Sequence, residues 1–219
     1  MYTENPVNQK QNIRQTVIQI GKILYRQGLI AGSDGNISVR LTKTKILVTA
    51  SGALLGELRE TDLVLVNLVT GKSDGGKKPS SELAMHIEIY KRRLDIRAVI
   101  HAHPPVATAF TLTGRSLPHP VLPELILTAG EIPVAPYATP ATDESANAIS
   151  KLIRNHDLLL LDHHGALCLG KNLSVAFQKM EKLEHAAWTL YLAEQMGKLI
   201  PLSGKILQKL ERVRQNYSK

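Results

Sequence analysis

The run His101-Ala102-His103-Pro104-Pro105 follows the apolar residues Ala98, Val99 and Ile100. Side chains two apart on a strand point to the same face, so His101 and His103 project together from a strand end. Two imidazoles aimed at one point can bind a transition metal, with zinc the usual choice for nitrogen ligands. The prolines stop the strand because they lack an N–H for the ladder. A second apolar stretch, Leu158 to Leu161, runs into Asp162-His163-His164-Gly165. Neighbouring strand residues face opposite ways, so one of His163 and His164 can join the first pair while the other serves elsewhere. A turn in which both only hydrogen-bond is the plainer alternative. Three protein ligands with one open position are the pattern of a catalytic zinc site.

Chemistry at such a site also needs a proton-moving group and a hold on the substrate. Ser80-Ser81-Glu82 opens a helical stretch. A serine there caps the free backbone N–H groups, or leaves them and the helix dipole to hold a phosphate. Glu82 in the first turn is stabilised as an anion by the same dipole. Two further loops, Gly32-Ser33-Asp34-Gly35-Asn36 and Thr49-Ala50-Ser51-Gly52, combine glycines with side-chain donors. Glycine lets backbone N–H groups approach an anion, although ordinary turns use the same residues.

The elements that must position these residues follow from periodicity. Apolar residues recur at helical spacing over 13–27, and the pattern ends near Gly28. Residues 37–41, 46–49 and 63–67 read as strands, followed by a polar loop over 70–78. Residues 81–93 read as a helix with Leu83, Ile87 and Tyr90 on one face, and 97–101 as the strand carrying the histidine pair. Short helices are expected over 106–112 and around 124–128, then a strand-like run at 132–136. Thr142 caps an expected helix over 143–154, and strands over 158–161 and 166–169 flank the His-His-Gly turn. Asn172 caps a long helix over 173–197, and a short one over 204–213 precedes a loose tail. Strands mixed irregularly with helices, without internal repeats or low-complexity linkers, predict one layered α/β or α+β domain over 1–219, with flexible ends at about 1–9 and 214–219.

Composition narrows the function classes. A chain of 219 residues buries about 70% of its unfolded surface without disulfide staples. Its one cysteine, Cys168, allows no internal disulfide and suits a reducing cytosol; it reads as a small buried hydrophobe, with a metal ligand as the lesser alternative. No apolar run approaches the ~18 residues of a membrane span, and the polar start is no secretory signal, so a cytoplasmic protein without a membrane partner is expected. The formal net charge of +8 is scattered along the chain, and its few aromatics are not interleaved with the basic residues. That reads as a solvated basic surface rather than a nucleic-acid platform. Neither a Gly-x-Gly-x-x-Gly nor a P-loop is present, so a dinucleotide or nucleoside triphosphate fold has no support.

Six ordered blocks carry a resemblance: Gly35-Asn36-Ile37-Ser38-Val39-Arg40, Val48-Thr49-Ala50-Ser51-Gly52, Pro79-Ser80-Ser81-Glu82, His101-Ala102-His103-Pro104-Pro105, Ile132-Pro133-Val134-Ala135-Pro136-Tyr137 and His163-His164-Gly165. Over about residues 10–200 the chain resembles the class II aldolase/adducin-head family, in its L-fuculose-1-phosphate aldolase branch. The resemblance implies an αβα single domain on a mostly antiparallel sheet and one Zn²⁺ per subunit on His101, His103 and His164. It makes Glu82 a fourth ligand that leaves on substrate binding and then moves the proton on C3. It places the substrate phosphate among Gly35, Asn36, Ser51, Gly52, Ser80 and Ser81. It also implies a homotetramer with sites at subunit interfaces. The implied reaction cleaves a ketose 1-phosphate to dihydroxyacetone phosphate and an aldehyde. A sugar-phosphate 4-epimerase, a methylthioribulose-1-phosphate dehydratase and a non-catalytic adducin-like module are the alternatives. Glu82 favours an aldolase over the epimerase, and the filled ligand positions favour an enzyme. One departure stands out: residues 117–124 lack the tyrosine that the fuculose enzymes carry there. A second family tyrosine, from a neighbouring subunit's tail, is met by position by Tyr217.

Overall fold

The structure is a computed structural model that describes residues 6–217, with side chains described from 12 to 216. In chain order the elements are α1 (Pro6–Arg26), β1 (Asn36–Arg40), β2 (Lys45–Thr49), β3 (Leu63–Asn67), α2 (Leu83–Arg92), β4 (Ala98–Ala102), α3 (Pro105–Leu112), α4 (Pro123–Ala129), β5 (Val134–Ala135), α5 (Glu144–Ile149), β6 (Leu158–Leu161), β7 (Gly165–Gly170), α6 (Leu173–Met196) and α7 (Gly204–Tyr217). The seven strands form one sheet in the order β3-β2-β1-β4-β7-β6-β5. Every pairing is antiparallel except that of β5 with β6. The expected αβα layering on a mostly antiparallel sheet is therefore present.

The layering follows from burial on both sheet faces. All five residues of β1, all five of β4 and all four of β6 are buried. A strand covered on both faces loses the apolar/polar alternation of a half-exposed one. One core joins Val17, Ile20 and Leu24 of α1, Phe110 of α3, Leu125 of α4 and Met180 and Leu183 of α6 to Ile37, Val39, Ile100 and Leu160 of the sheet. The other joins Met85, Ile89 and Tyr90 of α2 and Ile149 of α5 to Val48, Val99, Leu159 and Leu167. By strand alternation Asn36, Ser38, Arg40 and His101 lie on this second face, under α2.

Several boundaries differ from the periodic reading. Helix α1 begins at Pro6, because proline suits a first helical turn while residues 6–12 are too polar to show periodicity. Helix α2 begins at Leu83 rather than 81. The Ser80 hydroxyl accepts the Glu82 N–H at 3.2 Å, and this two-residue side-chain turn holds Glu82 at φ −97°, ψ 19°, outside the helix. The expected helix over 143–154 is instead α5 followed by a 3₁₀ turn at Leu152–Arg154. The backbone tightens there to three-residue bonds, Ser150 N to Asn147 O and Asn155 N to Leu152 O, with Ile149 and Ile153 both kept in the core. Helix α7 continues to Tyr217 instead of ending at 213. Asn172 caps α6 as expected, accepting from Val175 N at 2.9 Å. Cys168 is buried in the first core, and burial pushes its thiol up to about 12, as expected of a packing residue. No helix among the described residues is long and apolar enough to cross a membrane.

Candidate active site

Strand β4 delivers His101 and His103 to one edge of the sheet, and the β6–β7 turn brings in a third imidazole. Of the two histidines in that turn, His164 joins the pair. His163 takes a left-handed φ of 56°, uses its N–H on Thr111 Oγ1 at 3.2 Å, and turns its ring to Asp162 Oδ1 at 2.8 Å. That left-handed residue reverses the chain, so His164 faces back toward β4. The three rings have centroids 4.7–4.9 Å apart in every pairing, and their ligand nitrogens lie within 4.8 Å of one another. Gly165 permits this closeness: an added Cβ would sit 2.5 Å from Ala102 O and 2.7 Å from the His103 ring.

Tautomer and charge suit a metal. His101 Nδ1 donates to Ala166 O at 2.9 Å, which leaves Nε2 bare and facing His103 Nε2 at 3.0 Å. Burial, reinforced by the neighbouring imidazoles, pushes His101 down to about 3 and His103 to about 4. Both are thus neutral, the form that ligates, across the physiological range.

Glu82 reaches the same point from the start of α2. Its Oε2 lies 3.2 Å from His101 Nε2 and its Oε1 3.5 Å from His164 Nε2. Oε1 is buried without a hydrogen-bond partner. Buried polar atoms are nearly always paired, so an orphaned carboxylate oxygen facing three imidazoles fits a cation held among them. The donor set of three imidazole nitrogens and one carboxylate oxygen is a zinc-type set. His101, His103, His164 and Glu82 are the residues that would hold it. Cys168, the lesser candidate, is in the core behind them.

A cavity of about 350 Å³ opens on this cluster. Its walls contain Gly35, Asn36, Ser51, Gly52, Ser80 and Ser81, all six residues expected at a phosphate, together with Asp34, Glu82, His103 and His164. The loops meet through a bridge between Ala50 and Pro79. The backbone offers less than expected. Ser51 N is bonded to Lys78 O and Ser80 N to Thr49 O, both at 3.0 Å, so these serines can meet an anion only through their hydroxyls. Among the described residues no lysine or arginine lines the cavity.

Asn36, in the cavity wall, is already partly committed. Its Nδ2 donates to Glu82 Oε2 at 2.7 Å and its Oδ1 meets His86 Nε2 at 2.5 Å, leaving a single N–H for any ligand. The sequence reading passed over His86, which is fully buried and also bonds Ser38 Oγ through Nδ1 at 2.6 Å. The signal lay in the spacing: Glu82, His86 and Tyr90 recur every four residues, on one helix face. Tyr217 is the last residue of α7, and its side chain lies outside the described residues.

Residues 15–191 match the family Class II Aldolase and Adducin N-terminal domain. The chain is 31% identical over 194 residues to a 3-oxo-tetronate 4-phosphate decarboxylase of Pectobacterium atrosepticum, covering 87% of this chain and 88% of that one. It is 33% identical over 195 residues to a 5-deoxy-D-ribulose 1-phosphate aldolase of Bacillus thuringiensis serovar kurstaki, covering 87% and 91%. Among solved structures, an L-fuculose 1-phosphate aldolase superposes with a TM-score of 0.85 at 32% identity, over 95% of this chain and 97% of the other. The three-histidine cluster at the cavity floor and this likeness along most of the chain agree: the protein belongs to the class II aldolase and adducin N-terminal domain family.

Proposed function

We propose that the protein is a zinc-dependent lyase that cleaves a ketose 1-phosphate, L-fuculose 1-phosphate or a deoxypentulose 1-phosphate, to dihydroxyacetone phosphate and an aldehyde. The observation that carries this reading is Glu82 Oε1, buried without a hydrogen-bond partner beside three converging imidazoles, in a cavity whose other wall is Ser51, Ser80 and Ser81. A divalent ion on the histidines supplies Lewis acidity for negative charge developing on substrate oxygen. The serine hydroxyls anchor the phosphate and fix the distance from it to the reacting carbons, which supplies orientation. When the C3–C4 bond breaks, its electron pair passes into an enediolate over C2 and C3, and the C4 hydroxyl loses a proton as the aldehyde forms. Glu82 takes up a proton from solvent and delivers it to C3 of that enediolate, which completes dihydroxyacetone phosphate and returns the carboxylate. With no lysine or arginine in the wall among the described residues, hydroxyl and N–H donors carry the phosphate. A homotetramer is part of the proposal. The exposed Trp188, Tyr191, Leu192 and Met196 on α6 offer an apolar surface for self-association.

One observation favours a second reading. Aldol cleavage needs a group to take the C4 hydroxyl proton, and residues 117–124 lack the tyrosine expected there. Decarboxylation of a 3-oxo-tetronate 4-phosphate releases carbon dioxide, needs no such acceptor, and leaves the same three-carbon enediolate for Glu82 to protonate. The relative from Pectobacterium atrosepticum is named for that reaction. The deciding experiment supplies ketose 1-phosphates and 3-oxo-tetronate 4-phosphates to the metal-loaded protein and follows dihydroxyacetone phosphate by a coupled dehydrogenase. Aldehyde as co-product supports the aldolase and carbon dioxide the decarboxylase. Release from none of them refutes both and returns the epimerase, dehydratase and adducin-like readings.

A further inference from the structure

Between β1 and α2 five buried polar side chains interleave. Asn36 and Ser38 lie two residues apart on one face of the strand, about 6.8 Å along it. Glu82, His86 and Tyr90 lie four apart approaching and along the helix, about 6 Å per step. The two repeats nearly match, so the side chains mesh in the order Tyr90, Ser38, His86, Asn36, Glu82. The contacts are Tyr90 Oη to Ser38 Oγ at 2.9 Å, Ser38 Oγ to His86 Nδ1 at 2.6 Å, His86 Nε2 to Asn36 Oδ1 at 2.5 Å and Asn36 Nδ2 to Glu82 Oε2 at 2.7 Å. Exposure is 8% at Glu82, 4% at Asn36 and at most 1% at the other three, so water does not substitute for these partners.

We propose that His86 and Ser38 are positioning residues for Glu82: the five side chains form a one-way chain of donors that ends on Glu82 Oε2, locks the Asn36 amide and leaves Oε1 to move the proton. The direction follows from one end. An ionised carboxylate only accepts, so Asn36 must present Nδ2 to it. Asn36 Oδ1 then faces His86, whose Nε2 must carry the proton. His86 Nδ1 is therefore bare and accepts the Ser38 O–H, and Ser38 accepts the Tyr90 O–H. Flipping the Asn36 amide would set its oxygen against the carboxylate and a donor against a donor. Bonds aligned in this way polarise one another. The chain holds one carboxylate oxygen while the other stays without a hydrogen-bond partner among the described residues. The inference rests on the reading of Glu82 as the group that moves the proton.

Two measurements test it on the full-length protein. Long-range ¹H–¹⁵N spectra of histidine-labelled protein should show His86, assigned by its loss in His86→Gln, as the Nε2–H tautomer with a bare Nδ1. An Nδ1–H tautomer would overturn the chain whether or not any lyase activity is found. The second measurement uses dihydroxyacetone phosphate alone and follows exchange of its hydroxymethyl C–H with D₂O by ¹H NMR. His86→Leu should slow the exchange kcat about 10- to 100-fold, the usual cost of losing a partner that orients a metal-site group, with KM and metal content held. His86→Gln, whose amide can still donate to Asn36 Oδ1, should recover most of the loss. Unchanged kcat in His86→Leu, or a loss confined to KM, refutes the positioning role. If His86→Leu fails to fold, Ser38→Ala takes its place, with a smaller fall in kcat expected and the same refuting results. Absence of exchange in the wild-type protein would remove Glu82's proposed chemistry while leaving the tautomer result to judge the chain.

Discussion

Lowering the pH should unfold this protein partly through His86, by an amount that the burial sets. The imidazole is fully buried, and burial pushes it down from 6.5 to about 4. The unfolded chain therefore takes up a proton between pH 6.5 and 4 that the folded chain refuses. Where the unfolded state binds more protons, stability rises with pH. The contribution is thus full above pH 6.5 and falls as the pH drops below it. At about 1.4 kcal/mol per pH unit, His86 alone should cost about 2 kcal/mol by pH 5 and about 3 kcal/mol by pH 4. His101 and His103 act in the same direction, so the wild-type curve by itself cannot isolate His86. The comparison is with His86→Gln, which cannot titrate but keeps both hydrogen-bonding ends. Urea midpoints of metal-free wild type and variant, at one fixed protein concentration, should converge as the pH falls from 8 to 5. The difference should close by about 0.7–1 M, for a urea dependence of about 2–3 kcal/mol per molar. Parallel curves would mean that the folded protein accepts the proton at His86, and that the buried neutral imidazole described above is wrong.

His103→Ala removes one of three converging imidazoles, so the purified protein should fall from about one divalent ion per chain to near zero by elemental analysis, with loss of turnover. Ser81→Ala removes a hydroxyl from the cavity wall and should raise KM about tenfold or more for phosphorylated substrates while sparing kcat, since a hydrogen bond to a charged group contributes about 1.5–3 kcal/mol. Gly165→Ala forces a Cβ to 2.5 Å from Ala102 O and against the His103 ring; it should cost about 1–3 kcal/mol by thermal unfolding and weaken the ion in a chelator competition. Asp34 is a second carboxylate in the cavity wall, with Oδ2 3.8 Å from His103 Nδ1. Asp34→Asn should slow aldol cleavage but not carbon–hydrogen exchange of dihydroxyacetone phosphate if it takes the C4 hydroxyl proton, and equal effects on both steps would exclude that role.

The parts of this site that a sequence exposes are those set by short-range geometry. Strand alternation placed His101 and His103 on one face, and Ser80-Ser81-Glu82 announced a helix start, because both depend on neighbours along the chain. The choice between His163 and His164 was closed to that reasoning. A left-handed backbone at His163 decides it, and a non-glycine residue gives no sign of one. The bonds that Asn36 makes were hidden for a different reason. Its partners Glu82 and His86 lie 46 and 50 residues away, and they meet it only because β1 pairs with β4 beneath α2. Helical periodicity also hid the end of α2. Ser80 caps Glu82 by a local bond, which competes with the helix that the apolar pattern extends.

Strand β1 explains why the histidine cluster and the carboxylate share one geometry. Across the sheet Asn36 stands opposite His101, and across the layer its amide holds Glu82, so a single strand residue ties the two. Asn36, Ser38 and Arg40 place three polar side chains in a row inside the second core. Such a row would be costly if unpaired. Each is paired: Asn36 to Glu82 and His86, Ser38 to His86 and Tyr90, and Arg40 to the carbonyls of Tyr90 and Ile96, with its guanidinium 4.7 Å over the Tyr90 ring. A satisfied network of this kind is rigid, because moving one member breaks bonds that no water can replace. The rigidity stops at Glu82 Oε1, which is buried and unpaired at the end of the row. Every other member of the row has its hydrogen bonds, so this oxygen differs from its neighbours. On the proposed reading it is the atom kept available for a ligand or a proton.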